Sequence, residues 1–230
     1  MTTIAENIAG VRQHIQVASN GREVKLLAVS KTFPVESIAE AVRAGQRCFG
    51  ENYAQEGAAK VEFFKEYYPD IELEWHFIGP LQANKTRLVA EHFQWIESLS
   101  RLKIAQRLNE QRPAHMSAIN ALVEINIDDE ESKSGIAPEA LSDFLASVSL
   151  LPNIQLRGLM CIPKADADET EKRQTFARMK KIFEDCRAKG YAFDTLSMGM
   201  SADYEVAIEE GSTLVRVGSA IFGARNYSKS

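Results

Sequence analysis

A chain of 230 residues with 27 Lys and Arg against 32 Asp and Glu carries a formal net charge of -5, which offers no broad basic field for gripping nucleic acid. Hydrophobic residues at 45% and charged residues at 26% exclude disordered, collagen-like and coiled-coil chains and fit one domain, residues 1–230, with a sizeable core. Cys48, Cys161 and Cys186 form neither a CxxC pair nor a Cys/His cluster with metal-ligand spacing, and the N-terminus lacks the basic start and apolar block of a signal peptide; the expectation is a cytoplasmic protein with reduced thiols and no membrane span.

In chain order, Ile4, Ile8, Val11 and Ile15 share one helical face, and Thr3 and Glu6 are spaced as a capping box at its start. The apolar run Val24 to Ser30 predicts a first strand, after which Pro34 opens a helix ending near Gly45. Further strands are expected at Arg47 to Gly50, Leu73 to Ile78, Phe93 to Ile96, Ala121 to Ile127, Leu156 to Met160, Thr195 to Met198 and Leu214 to Val217. Ala165 to Arg173 is the most polar stretch and predicts a surface loop running into a helix. In the helical segment Glu169 to Lys189, Phe176, Met179, Phe183 and Cys186 share a face, and Gly190 can end it. Strands buried on both faces and separated by helices indicate a parallel sheet, and eight such units in this length favour a closed (β/α)8 TIM-type barrel with an extra N-terminal helix.

Chemistry in that fold sits where strands end, so polar residues that close apolar runs are the candidates. Lys31 follows the first strand, where desolvation lowers a lysine pKa and yields the neutral amine that attacks an aldehyde; the competing reading is a lysine snorkelling to the rim. Asn52 and His76 close the second and third strands and could touch a ring or order water, or simply be satisfied loop groups, and Glu51 could cap or pair locally. The last two strands run into Met198-Gly199-Met200-Ser201-Ala202-Asp203 and Arg216-Val217-Gly218-Ser219-Ala220, two small-residue turns at the usual phosphate position of β/α barrels. If Leu214, Arg216 and Gly218 point inward, Arg216 is a charge inside the mouth, needing a ligand or a facing carboxylate such as Glu51 or Asp203.

The ordered set of Ala28-Val29-Ser30-Lys31-Thr32, Phe49-Gly50-Glu51-Asn52-Tyr53, His76-Phe77-Ile78-Gly79-Pro80-Leu81-Gln82, Ser132-Lys133-Ser134-Gly135, Leu196 to Ser201 and Val215 to Gly223 resembles the pyridoxal phosphate homeostasis family, the PLP-binding YggS/PROSC proteins, over nearly the whole chain. Phe33 departs from the basic residue of many relatives, but at the rim it puts little in doubt. The resemblance implies that Lys31 forms a Schiff base with pyridoxal 5'-phosphate (PLP) and that Arg216 faces the pyridine nitrogen. It further implies that Ser201, Gly218 and Ser219 hold the phosphate and that Asn52 and the His76 segment line the pocket. It implies a barrel similar to that of alanine racemase without that enzyme's additional β domain, hence a monomer, and a part in PLP (vitamin B6) homeostasis with PLP-dependent apoenzymes as recipients.

Arg216 bears on whether the site turns over. A guanidinium has donors and no acceptor, so a pyridine nitrogen facing it stays unprotonated and the ring is a weaker electron sink. Racemisation would also need acid/base groups on both faces of the substrate, and no further domain is expected after the last strand to supply one. The expectation is a non-catalytic PLP-binding protein. The alternatives are a PLP-dependent, racemase-like enzyme acting on amino acids and a Schiff-base aldolase for sugar phosphates.

Overall fold

The computed structural model describes residues 1–131 and 134–225. Helix α1 (Ile4–Ser19) comes first, with the Thr3 side chain accepting from the Glu6 N–H and the Glu6 carboxylate from the Thr3 N–H. The chain then alternates β1 (Lys25–Val29), α2 (Val35–Arg43), β2 (Cys48–Glu51), α3 (Ala54–Tyr67), β3 (Glu74–Phe77), α4 (Thr86–His92), β4 (Trp95–Leu99) and α5 (Leu102–Gln111). It continues through β5 (Ile119–Glu124), α6 (Leu141–Val148), β6 (Ile154–Met160), α7 (Glu169–Ala188), β7 (Thr195–Ser197), α8 (Tyr204–Glu209), β8 (Leu214–Val217) and the short α9 (Ser219–Phe222). Every strand pairs in parallel with the next, and β8 pairs with β1, closing an eight-stranded barrel.

Side-chain alternation sorts each strand into two environments. Leu26, Ala28, Phe49, Trp75, Phe77, Val215 and Val217 pack outward against the helices in one large apolar cluster. On the β5 to β7 side, Val123, Leu159 and Leu196 pack with Phe176, Met179, Phe183 and Cys186 of α7. Leu27, Cys48 and Leu214 form one small interior cluster, and Trp95, Leu122 and Met160 another. The interior is therefore filled by side chains rather than hollow.

Two irregularities re-aim polar residues. Between Ile96 and Leu99, β4 carries one residue more than β5, at Glu97–Ser98; between Leu156 and Gly158, β6 carries one more than β5, at Arg157. Such bulges bend a strand and turn a side chain that regular pleating would send elsewhere. The run predicted to end at Ile96 consequently continues to Leu99, and the one predicted to reach Ile127 ends as a strand at Glu124, where Ile125 forms an isolated bridge with Ile136. No helix among the described residues is long and apolar enough to cross a membrane.

Candidate functional site

β1, β7 and β8 are neighbours in the barrel, so the residues following them converge at one sector of its C-terminal mouth. Ser30, immediately past β1, is wholly buried; its hydroxyl donates to Glu51 at 3.0 Å. Lys31 comes next and is half-buried. Burial, then the positive charge of Arg225, hold its pKa below the ordinary lysine value, against the pull of Glu51. Glu51 itself is buried; burial raises its carboxyl to about 7 despite the nearby ammonium of Lys60.

β8 delivers Arg216 inward, 3% exposed. Neither carboxylate suggested by the sequence is its partner: Nη1 donates to the Ser197 hydroxyl at 2.7 Å and Nη2 to the Cys161 carbonyl at 3.0 Å. Ser197 in turn donates to Glu97 Oε1 at 2.5 Å, and Glu97 Oε2 accepts from His76 Nδ1 at 2.6 Å. His76 Nε2 donates to Glu74 at 2.6 Å, and Glu74 also accepts from Lys25. An unbroken line of hydrogen bonds thus crosses the interior from the N-terminal end of β1 to Arg216 near the mouth.

His76 occupies a different place from the pocket lining expected of it. Its ring is fully buried, stacks on Trp95 at 4.8 Å, and has both nitrogens bound to carboxylates, so it supports Arg216 through Glu97 and Ser197 instead of presenting a free edge. Burial opposes a charged imidazole, yet Cys48, Glu74 and Glu97 outweigh it and raise His76 well above its usual pKa. Burial likewise pushes Glu74 upward, but His76 and Lys25 bring it down to about 2; against burial, His76 and Arg216 lower Glu97. Alternating cations and anions leave each buried charge compensated, as a low-dielectric interior demands. Cys48, Glu74 and His76 offer metal-type ligand atoms within 4.8 Å of one another, but the ammonium of Lys25 already sits on the shared carboxylate.

Ser201, Gly218 and Ser219 lie on the two turns after β7 and β8. Gly199 adopts φ +102°, and a Cβ there would come within 2.7 Å of Ala207; only glycine lets the β7 turn lie this close to α8. Ser201 is half-buried and its Oγ accepts from the Ala220 N–H at 3.3 Å, linking the two turns. Gly218 is half-buried and Ser219, which starts α9, is exposed. Across the mouth, Asn52 follows β2, and its Oδ1 is buried without a partner among the described residues. A buried acceptor left unmet is costly, which fits a ligand donor at that point. A cavity of about 330 Å³ opens on the β3 to β5 side, lined in part by Gln82, Ser98, Arg101 and Glu124. Ser132 and Lys133 of the matching segment lie outside the described residues.

Sequence reasoning missed Ser197, whose hydroxyl accepts from Arg216, and Glu97, which holds Ser197 in turn. The available signal was Glu97 itself, an acid in the middle of Trp95-Ile96-Glu97-Ser98-Leu99. It also missed Lys60, a lysine on the inner face of α3.

Residues 1–226 match the family model of the alanine racemase N-terminal domain. The pyridoxal phosphate homeostasis protein of Pasteurella multocida is 52% identical over 234 residues, covering 99% of this chain and 100% of that protein. That of Escherichia coli K12 is also 52% identical, with 100% of each covered. The solved structure of Synechococcus elongatus PipY with PLP bound superposes with a TM-score of 0.86 at 34% identity, over 96% of this chain and 100% of that one.

Proposed function

The chain belongs to the pyridoxal phosphate homeostasis family, built on the alanine racemase N-terminal barrel, and on that premise we propose that it binds PLP at the C-terminal mouth as a Schiff base on Lys31 and stores it without substrate turnover. The observation that carries the reading is Lys31: an amine whose charged form burial disfavours, one strand away from a buried Arg216 and the small-residue turn that follows it. When bound, PLP supplies an electrophilic aldehyde and a ring able to withdraw electrons.

The chain's own residues account for binding. Lys31 offers an amine that burial inclines toward the neutral form a carbonyl requires. Ser201 and Ser219 offer hydroxyls, and Gly218 a turn without a side chain, to a phosphate dianion. Asn52 offers an unmet acceptor. Arg216 has five N–H donors, two of which are used on acceptors among the described residues; the others are left for an acceptor ring nitrogen, which a fixed cation would keep unprotonated. The fixed cation therefore works against carbanion chemistry while still binding the ring, which suits a carrier supplying PLP-dependent apoenzymes. The buried thiols Cys48, Cys161 and Cys186 are free, in keeping with a role in the cytoplasm.

The test is α-proton exchange. Purified protein saturated with PLP and supplied with alanine in deuterium oxide should develop the visible absorbance of bound PLP, with negligible deuterium incorporation by NMR. Rapid incorporation or racemisation would establish the racemase-like alternative instead.

A further inference from the structure

Lys60 lies on α3, and its side chain is 7% exposed. Its ammonium donates to three acceptors: the Ser30 carbonyl at 2.8 Å, Glu51 Oε1 at 2.6 Å and Glu56 Oε1 at 2.7 Å. That uses every N–H it has. Glu56, one helical turn earlier, also accepts from the Thr32 backbone N–H at 2.6 Å. The residues on either side of Lys31 are thus tied to one buried ammonium, Ser30 directly and Thr32 through Glu56. Thr32 has φ +67°, a left-handed conformation that a β-branched residue adopts only when its surroundings impose it.

A buried ion pair contributes little net stability, because desolvation offsets the attraction. This one instead grips a strained backbone beside the reactive amine. We propose that Lys60 and Glu56 are positioning residues for Lys31, holding the turn after β1 so that the amine stays partly desolvated at the barrel mouth. The proposal rests on the reading of Lys31 as the PLP lysine. Neither Lys60 nor Glu56 touches the ligand in this role; they act through the Ser30 carbonyl and the Thr32 amide. The charges bearing on Lys31 from the surrounding elements are Arg225 and Glu51, with Lys60 and Glu56 behind them.

Glu56 gives the cleanest variants because it is one-third exposed. Glu56→Ala removes the acceptor for Thr32, whereas Glu56→Gln retains a carbonyl oxygen there. Lys60→Met is combined with Glu51→Gln so that no buried carboxylate is left unpaired. Two readouts are taken on folded protein, verified by circular dichroism. One is competitive acetylation of Lys31 against pH in the PLP-free protein, followed by peptide mass spectrometry. The other is the rate at which added PLP becomes trapped on Lys31 by borohydride.

Glu56→Ala should move the Lys31 acetylation midpoint upward, toward an ordinary lysine, and slow PLP capture about tenfold, the effect of losing one hydrogen bond to a charged group. Glu56→Gln should stay within about twofold of the wild type, and the double variant should slow capture at least as much as Glu56→Ala. An unchanged midpoint and capture rate in Glu56→Ala overturns the proposal, whether or not the double variant folds. Equal damage from Glu56→Gln and Glu56→Ala also overturns it, since charge rather than the Thr32 bond would then be responsible. If wild-type PLP is trapped on a different lysine, the reading of Lys31 fails, while the acetylation midpoint still reports separately on the clamp.

Discussion

At the scale of single residues, the proposed site divides between groups that grip an anion and a group that forms a covalent bond. Ser201 and Ser219 belong to the first kind, and Ser201 also ties the β7 turn to α9 through the Ala220 N–H. Replacing both with Ala removes two hydroxyls but leaves the backbone N–H groups of the turn and the amine of Lys31. Each hydroxyl bond to a charged phosphate is worth about 1.5–3 kcal/mol, so Ser201→Ala with Ser219→Ala should lose PLP on dialysis far faster than the wild type while still forming the imine when PLP is in excess. Retention equal to the wild type would place the phosphate elsewhere. His76 lies deeper than its place near a strand end suggests: inward alternation and two carboxylates set it in the barrel's ionic interior.

At the scale of elements, the two bulges decide which polar groups reach the interior. The β6 bulge places Gly158 at φ +154°, and a Cβ there would stand 1.7 Å from the Thr195 carbonyl oxygen of β7. Because that contact is with backbone, relief requires moving one strand against its neighbour. Gly158→Ala should therefore destabilise the protein by about 3 kcal/mol or more, read as a fall in the urea unfolding midpoint. A change under 0.5 kcal/mol, the range of ordinary surface substitutions, would mean that β6 and β7 are less closely locked than their pairing indicates. The same bulge lets Arg157 reach Asp194 and Asn120 and lie 4.7 Å from the Trp95 ring, closing the barrel's N-terminal end with charge pairs. By contrast, α7 needs no such device: Asp168 and Glu171 form a reciprocal capping box, and its apolar face is the one the sequence displays.

At the scale of the whole molecule, the buried charges set the pH range of stability. Glu74 is lowered to about 2 from an ordinary 4.5, and Glu97 is also lowered; their stabilisation is present above the unfolded value and is lost as pH falls from about 4.5 toward 2. Glu51 is raised to about 7, so its contribution is present below 4.5 and declines as pH rises through 7; His76, raised above 6.5, loses its contribution only at higher pH. Thermal melts should thus show a steep acid limb and a gentler decline between about pH 4.5 and 7, and Glu51→Gln should flatten that second region while leaving the acid limb in place. A Glu51→Gln profile parallel to the wild type throughout would exclude Glu51 as its source.

The barrel was legible because its outer layer obeys simple periodicity: eight apolar runs, helical stripes such as Phe176, Met179 and Phe183, and turns of small residues after β7 and β8. Lys31, Ser201, Arg216, Gly218 and Ser219 stand out in the sequence as candidates because they interrupt or end those runs. The ionic interior was not, because pairing across a closed barrel joins residues far apart in sequence, such as Glu97 with Ser197, and because a bulge breaks the alternation from which inward positions are inferred. Lys60 was hidden differently: on a helix it looks like any solvated lysine until the fold buries it.

Borohydride reduction of the PLP-loaded wild-type protein shows whether Lys31 carries the cofactor. Peptide mapping by mass spectrometry should find the pyridoxyl group chiefly on the peptide containing Lys31, at a stoichiometry matching the lost visible absorbance. Reduction that leaves Lys31 unmodified and labels another lysine would rule Lys31 out as the PLP lysine.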